Sequence, residues 1–190
     1  MAIGWAFIGT GRHPHSRVAP SMALAEDSEI IAAYSRDQKR AEEFAGKHGA
    51  RAAYTSVEAL LEDSRVDAVY IASPNHLHAQ HTQLAAKAGK HILVEKPMAT
   101  TVSECIDMIK ACQANGVKLG VGFQLRFHPG HMEARRLVRE GELGQISLAQ
   151  ALIGSGVRGE IKREPRTGLS GWWEEPDMVG NSMAMIGRSE

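Results

Sequence analysis

Short apolar runs alternate with helix-compatible segments along residues 3–121. The apolar run Trp5–Ile8 precedes a helical segment at Arg17–Ala25, and the run Glu29–Tyr34 precedes a helix that extends to Phe44–Gly46. Apolar runs of this length that alternate with helical periods indicate buried parallel strands joined by helices. The same pattern predicts further strands at Ala52–Tyr54, Asp67–Ala72, His91–Val94 and Lys118–Val121.

Helix starts are predicted from the spacing of capping residues. Thr55 with Glu58, and Thr101 with Glu104, have the spacing of a capping box, in which two side chains satisfy the first free N–H groups of a helix. Strands and helices that alternate at such short intervals predict an α/β fold with a doubly wound parallel sheet.

The pattern changes after Gly122. Pro129–Glu140 has the spacing of a basic amphipathic helix, and Gly144–Ile153 predicts a strand of a second domain. We therefore expect one domain at residues 1–122 and an incomplete α+β domain at residues 123–190. A strand at Ile146–Ile153 would have few partners. We expect Leu143–Glu190 to be poorly ordered or irregularly packed.

A glycine turn, Gly9-Thr10-Gly11, separates the first strand from the first helix. A strand, a glycine turn and a helix in this order open a dinucleotide-binding βαβ unit, although two glycines alone often mark only a turn. Gly9 would permit the tight turn, and Gly11 would let the main chain approach a pyrophosphate. Pro14 replaces the third small residue of the fingerprint, so we expect an extended turn with Ser16 as the helix N-cap.

The end of the second strand bears on the choice of cofactor. The strand ends at Ser35-Arg36, Arg40 follows one helical turn later, and the first carboxylate is that of Asp37. In this fold an acidic residue accepts from the ribose hydroxyls of NAD, whereas cations receive the 2′-phosphate of NADP. A hydroxyl and two guanidinium groups favour NADP over NAD. A compatible alternative is that Ser35 or Asp37 caps the next helix and the arginines are exposed.

Polar segments follow most of the predicted strands at the point where each strand ends. Because the carboxyl ends of parallel strands meet at one edge of a sheet, these segments should lie together, and ligands bind at that edge. The segments are Gly9–Gly11, Ser35-Arg36, Ser73–His78, Glu95-Lys96-Pro97 and Gly122–Phe127.

Composition excludes several classes of partner. Lysine plus arginine and aspartate plus glutamate each total 22, so the net charge is zero and neither nucleic acid nor an anionic membrane is indicated. No apolar run is long enough to span a membrane, and no basic region precedes the first strand, so no signal peptide is expected.

Cys105 and Cys112 lie two turns apart on one predicted helix, too far for a disulfide, and are expected to be core thiols in a reducing cytoplasm.

A metal site is the competing interpretation of the histidines after the fourth strand. Of His76, His78 and His81, only the last two would share a helical face, and no carboxylate or cysteine completes a ligand set. No metal is therefore expected. The histidines expected on the surface or in loops are His13, His15, His128 and His131.

In combination, these segments resemble the Gfo/Idh/MocA family of nicotinamide-dependent oxidoreductases. The resemblance rests on Gly9-Thr10-Gly11, Ser73–His78, Glu95-Lys96-Pro97 and Gly122–Pro129, in matching order from Ile3 to about Ile153. It implies a Rossmann dinucleotide-binding domain at residues 1–122 and the start of a substrate and dimerisation domain at residues 123–190. A homo-oligomer is one assembly that it allows.

The resemblance also implies roles for individual residues. Lys96 would be the catalytic residue, which hydrogen-bonds the substrate oxygen and assists proton transfer as hydride moves to or from the nicotinamide. Asn75 and His78 match positions near the ribose and nicotinamide, and Arg126 matches a position near cofactor or substrate, where a plain salt bridge is the alternative. The cofactor-binding residues are thus expected to be Gly9, Thr10, Gly11, Arg12, Ser35, Arg36, Arg40, Ser73, Asn75, His78, Glu95, Lys96 and Arg126.

Two functions remain open from the sequence. Family members continue into a large open sheet with a second catalytic histidine, whereas here neither aspartate nor histidine occurs after Asp177. We therefore expect most of the substrate domain to be absent. The first function is hydride transfer between NADP(H) or NAD(H) and a sugar, polyol or related carbonyl compound, and the second is dinucleotide binding without turnover. Another Rossmann enzyme, such as a methyltransferase, is disfavoured because Glu95-Lys96-Pro97 has no role there.

Overall fold

A computed structural model of the chain describes residues 2–150 and Met178. These residues divide into two compact units, residues 2–122 together with Met178, and residues 123–150. None of the helices in these described residues is long and apolar enough to cross a membrane.

The first unit is built on a six-stranded parallel sheet, which confirms the predicted Rossmann-type α/β fold. The strand order is β3-β2-β1-β4-β5-β6, so the order reverses between β1 and β4, and this reversal creates the crevice in which such sheets bind ligands. The strands are β1 (Ile3–Ile8), β2 (Ser28–Tyr34), β3 (Ala52–Tyr54), β4 (Ala68–Ile71), β5 (His91–Val94) and β6 (Leu119–Val121).

Helices form the connections between the strands. A π-helical segment, Pro14–Val18, runs directly into α1, and a 3₁₀ segment, Asn75–Leu77, runs into α4. The α-helices of this unit are α1 (Ala19–Met22), α2 (Gln38–His48), α3 (Val57–Leu61), α4 (His78–Lys87) and α5 (Val102–Ala114).

The sheet is apolar on both faces because helices cover both. Side chains alternate along β1, so Ala6 and Ile8 belong to one buried cluster while Phe7 belongs to another. The second cluster contains an aromatic group in which the ring of Phe7 lies 5.1 Å from that of Phe44 and 5.2 Å from that of Tyr70. Tyr70 is therefore held by the core of the sheet although it carries a polar hydroxyl.

Two of the predicted helix N-caps, Ser16 and Thr55, are wrong. Ser16 lies inside the first helical segment, where its hydroxyl donates to the carbonyl oxygen of Arg12 at 2.8 Å, because the helix begins directly after Gly11. The N-cap of α3 is Ser56 rather than Thr55, and its hydroxyl accepts from Ala59 N at 3.2 Å. α3 begins at Val57, one residue later than the predicted capping box requires. The box of Thr101 and Glu104 at the start of α5 is confirmed.

The second unit contains a 3₁₀ segment, Gln124–Phe127, and α6 (Pro129–Arg139). The predicted basic amphipathic helix is thereby confirmed. The strand predicted from Gly144 is wrong over residues 144–150, which are irregular. A strand needs a partner for its main-chain hydrogen bonds, and residues 123–150 contain none. The rest of that segment, and most of the region expected to be poorly ordered, lies outside the described residues.

Candidate functional site

The glycine turn after β1 leaves space beside its main chain. Gly9 has φ +114°, and a Cβ on it would lie 2.6 Å from the carbonyl oxygen of Ala72, so only glycine fits this turn without strain. A Cβ on Gly11 would meet no heavy atom within 4 Å. The main chain at Gly11 is thus open to a ligand, as a pyrophosphate requires. Thr10 and Arg12 lie in the same turn, and Arg12 is exposed.

Two arginines, Arg36 and Arg40, follow the end of β2, and the carboxylate of Asp37 between them caps α2. Asp37 is the N-cap of α2 and accepts from Arg40 N at 3.0 Å, which confirms the capping alternative for this residue. Ser35 is buried, and its Oγ accepts from Asp37 N at 3.3 Å. Arg36 is exposed, and the guanidinium of Arg40 donates to Thr10 O at 3.4 Å. The guanidinium of Arg40 therefore lies next to the glycine turn, on the sheet edge that also carries the exposed Arg36.

The loop after β4 is tied to the loop after β5 by His78. This ring is 1% exposed; its Nδ1 lies 2.9 Å from Pro97 O and its Nε2 lies 2.9 Å from Ser73 O. Burial lowers the pKa of His78, against the two carbonyl oxygens and the charge of Glu95, which raise it. Asn75, also predicted to bind cofactor, is buried in the same loop.

Burial lowers the pKa of both neighbouring histidines, His76 and His81. Burial, and then the adjacent His78, lowers the pKa of His81 to about 4, and its Nδ1 lies 2.9 Å from Ser73 Oγ. Burial, and then the charge of Arg36, lowers the pKa of His76. Arg36 thus acts electrostatically on the loop after β4. Among the described residues, no group of three histidine, cysteine or acidic side chains could hold a metal ion.

The segment after β5 places Lys96 between a buried carboxylate and a proline. The Lys96–Pro97 peptide bond is cis, and Lys96 is half-buried. Glu95 is 9% exposed, and its Oε2 accepts from Lys96 N at 3.1 Å. The hydrogen bond holds the main-chain N–H of Lys96 against the carboxylate of Glu95.

Sequence reasoning missed two residues that contact Glu95. The buried hydroxyl of Tyr70 donates to Glu95 Oε1, and His13 Nε2 lies 3.2 Å from the same oxygen. His13 was expected to be a plain surface or loop histidine. For Tyr70 there was a signal in the sequence: a phenol in the middle of an otherwise aliphatic strand has a hydroxyl that must find a buried partner.

Arg126 belongs to the second unit. It lies in the exposed 3₁₀ segment Gln124–Phe127, and its N–H donates to Phe123 O at 3.0 Å. Its assignment to cofactor or substrate stays a prediction.

The fold and this edge define a class of protein. A glycine turn with open main chain at the end of β1, beside the point where the strand order reverses, is the arrangement of a dinucleotide-binding Rossmann domain. A family model described as "Oxidoreductase family, NAD-binding Rossmann fold" matches residues 3–123. The chain belongs to this family, GFO_IDH_MocA.

Two of the similar proteins are named as oxidoreductases of a polyol and of a sugar derivative. The chain is 41% identical to scyllo-inositol 2-dehydrogenase (NADP(+)) of Bacillus subtilis (strain 168), a match that covers 70% of this chain and 40% of the relative. It is 35% identical to 1,5-anhydro-D-fructose reductase of Ensifer adhaerens, over 77% of this chain and 44% of the relative.

Solved structures show the same likeness. An aldose-aldose oxidoreductase from Caulobacter crescentus complexed with glycerol matches with a TM-score of 0.71 and 36% identity, over 76% of this chain and 44% of that one. A 3-ketoreductase from Actinomadura kijaniata in complex with NADP matches with a TM-score of 0.70 and 31% identity, over 76% and 46%. The chain spans less than half the length of each of these four proteins.

Proposed function

We propose that the chain is the cofactor-binding part of an NADP-dependent oxidoreductase that transfers hydride to or from a sugar, a polyol or a related carbonyl compound. The observation that carries the proposal is the juxtaposition, on one sheet edge, of the open Gly9–Gly11 turn and the Glu95-Lys96-Pro97 segment. The activities named for the four similar proteins support the substrate class.

Electrostatics at the end of β2 supports NADP over NAD. A 2′-phosphate would be received by Ser35, Arg36 and Arg40, since guanidinium groups bind phosphate through paired, charged hydrogen bonds. An acidic residue commonly binds the diol of NAD, and the first carboxylate here, that of Asp37, accepts through Oδ1 from Arg40 N as the N-cap of α2. The pyrophosphate would lie against the main chain of Gly9–Gly11, as in other Rossmann domains.

Lys96 is proposed as the proton-transferring residue. NADPH, when bound, supplies the hydride. The ammonium of Lys96 would donate a hydrogen bond and then a proton to the substrate oxygen during reduction, and the neutral amine would accept that proton in the reverse direction. Ser73, Asn75 and His78 would line or support the nicotinamide side of the site.

The proposed domain boundaries follow the sequence pattern. Residues 1–122 would bind the cofactor, and residues 123–190 would begin the domain that selects the substrate and forms a homo-oligomer, with Arg126 near its start. The two free cysteines, Cys105 half-buried and Cys112 buried, fit a reducing cytoplasm as the compartment.

The second candidate is dinucleotide binding without turnover. The observation that keeps this second candidate open is that the cofactor edge lies within residues 2–122, whereas the chain covers 40% to 46% of the four similar proteins. Activity would then require a substrate-binding surface from the part of the similar proteins that this chain does not cover.

Turnover separates the two candidates. The purified chain is mixed with NADPH or NADP and a panel of sugars, polyols and their keto derivatives, and the nicotinamide absorbance is followed. Lys96→Ala should abolish any rate and still bind NADPH, whereas Lys87→Ala, on the exposed face of α4, should leave both unchanged. NADPH binding without turnover supports the second candidate, and absence of binding to the folded chain contradicts both.

A further inference from the structure

The carboxylate of Glu95 lies next to residues from four parts of the first unit. Its Oε1 accepts from the hydroxyl of Tyr70 on β4 and lies 3.2 Å from His13 Nε2 at the start of the first helix. Its Oε2 accepts from the main-chain N–H of Lys96 at 3.1 Å. After β6, a Cβ on Gly122 would lie 3.1 Å from Oε1, so glycine leaves space for the carboxylate.

Tyr70 gives this carboxylate a fixed partner. The residue is 2% exposed and its ring packs on that of Phe7, so the core determines where the hydroxyl lies. Burial, and then the hydrogen bond with Glu95, raises the pKa of Tyr70, which keeps the phenol protonated and able to donate. A buried carboxylate that lost this donor would rotate towards another partner, because unpaired polar atoms are costly to bury.

His13 makes the connection to the glycine turn. It lies two residues after Gly11, and its side chain is 46% exposed, so the contact with Glu95 is not imposed by core packing. β1 and β5 are not neighbours, because β4 lies between them. The contact therefore crosses the end of β4 and links the turn after β1 to the segment after β5.

We propose that Tyr70 and His13 are positioning residues that act through Glu95. They fix its carboxylate, and the carboxylate holds the main chain of Lys96. Tyr70 anchors the carboxylate to the core, whereas His13 fixes its position relative to the glycine turn after β1. The glycine turn and the Glu95-Lys96-Pro97 segment are thereby held next to each other. The consequence for catalysis rests on the proposed function of Lys96, but the positioning itself does not.

The amide resonance of Lys96 tests the positioning directly. The chain is labelled with ¹⁵N-lysine, and the Lys96 signal is assigned by its absence from the spectrum of Lys96→Arg. Tyr70→Phe keeps the aromatic ring and removes the hydroxyl, and His13→Ala removes the contact from the turn. In both variants the Lys96 amide proton should shift upfield, because its hydrogen bond to the released carboxylate weakens.

Matched controls exclude a general effect of either substitution. Tyr54→Phe removes a hydroxyl that donates to Asp63 at 3.1 Å, and His15→Ala removes a ring that contacts Lys47 and His48. Neither hydroxyl nor ring contacts Glu95. The Lys96 signal should move more in Tyr70→Phe and His13→Ala than in either control. A signal that stays within the range of the controls in either test variant contradicts the proposal.

NADPH binding and turnover are measured on the same variants. Tyr70→Phe should keep an NADPH affinity within about tenfold of the wild-type value, equal to about 1.4 kcal/mol. Where the chain is active, its kcat should fall on the order of 10- to 100-fold with little change in KM, as expected for a displaced reacting group. If the wild-type chain binds no NADPH, the proposed function fails, and the Lys96 amide shift still decides the positioning.

Discussion

A methyl group on Gly9 would lie 2.6 Å from the carbonyl oxygen of Ala72, the residue that follows β4. The φ of +114° at Gly9 is disfavoured for every residue with a side chain. Gly11 differs, because a Cβ there would meet no atom within 4 Å. One glycine is thus required by the fold itself, and the other leaves space that a ligand would use.

The two glycines should therefore separate stability from binding. Gly9→Ala should lower the free energy of unfolding by about 1–3 kcal/mol, the range for strained backbone. Gly11→Ala should leave it within about 0.5 kcal/mol of the wild-type value, as for exposed sites. Gly11→Ala should nevertheless weaken NADPH binding on the order of tenfold or more, or about 1.4 kcal/mol. Urea unfolding and a fluorescence titration with NADPH measure the two effects.

Gly46→Ala is the matched control, since Gly46 lies in α2 with open space around it. It should not weaken NADPH binding. Equal affinities of the wild-type chain and Gly11→Ala would show that no ligand approaches the main chain at this position.

The sheet could be predicted well because its strands are short and largely apolar runs, and the central strand β4 is buried along its whole length. β5 was predicted with its observed limits, and the capping box at the start of α5 was predicted from Thr101 and Glu104. Helix starts near Pro14 and Ser56 were less predictable, because adjacent Ser, Thr and Pro residues offer several caps of similar energy. Local sequence does not choose among them.

His81 should make the stability of the chain depend on pH. The pKa of this ring is about 4 in the folded chain, against an ordinary value of 6.5, so the unfolded chain binds more protons between these values. The contribution of His81 to stability is therefore fully present above pH 6.5 and is lost as the pH drops from 6.5 to 4. Two and a half pKa units correspond to about 3 kcal/mol. Urea unfolding at a series of pH values measures the effect.

His81→Gln should remove most of this dependence, because glutamine does not titrate. His91→Gln is the control, since His91 is exposed at the start of β5. Dependence that remains in His81→Gln reports the other titrating groups, among them His48, His76 and His78, whose pKa values burial also lowers. A variant that lost stability between pH 6.5 and 4 as steeply as the wild-type chain would contradict the assignment of this effect to His81.

The capping box at the start of α5 should contribute measurably to stability. Thr101 accepts from Glu104 N at 3.2 Å, and Glu104 Oε2 accepts from Thr101 N at 3.0 Å. Thr101→Ala should lower the free energy of unfolding by about 1 kcal/mol, since it leaves a helix N–H without its partner. Ser103→Ala, two residues further on at an exposed position in the first turn of α5, is the control. An equal effect of the two substitutions in urea unfolding would contradict the role of the box.

The candidate site was predictable only in part, and the reason is geometric. Sequence order places Gly9–Gly11, Ser35-Arg36 and Glu95-Lys96-Pro97 at strand ends, so a common edge follows from a parallel sheet alone. The contacts of Glu95 with Tyr70 and His13 join residues that are 25 and 82 positions apart. Such pairs depend on which strands are neighbours and on the register between them, which local patterns do not contain.

The measurement that tests the central claim most directly is calorimetric titration of the purified chain with NADPH and with NADH. We expect micromolar binding of NADPH and binding of NADH weaker by about tenfold or more, equal to about 1.4 kcal/mol. Arg36→Ala should narrow that difference, whereas Arg17→Ala, exposed on the first helix, should leave it unchanged. Equal affinities for the two cofactors would contradict the phosphate site, and no binding of either by the folded chain would contradict the assignment of this edge as a dinucleotide site.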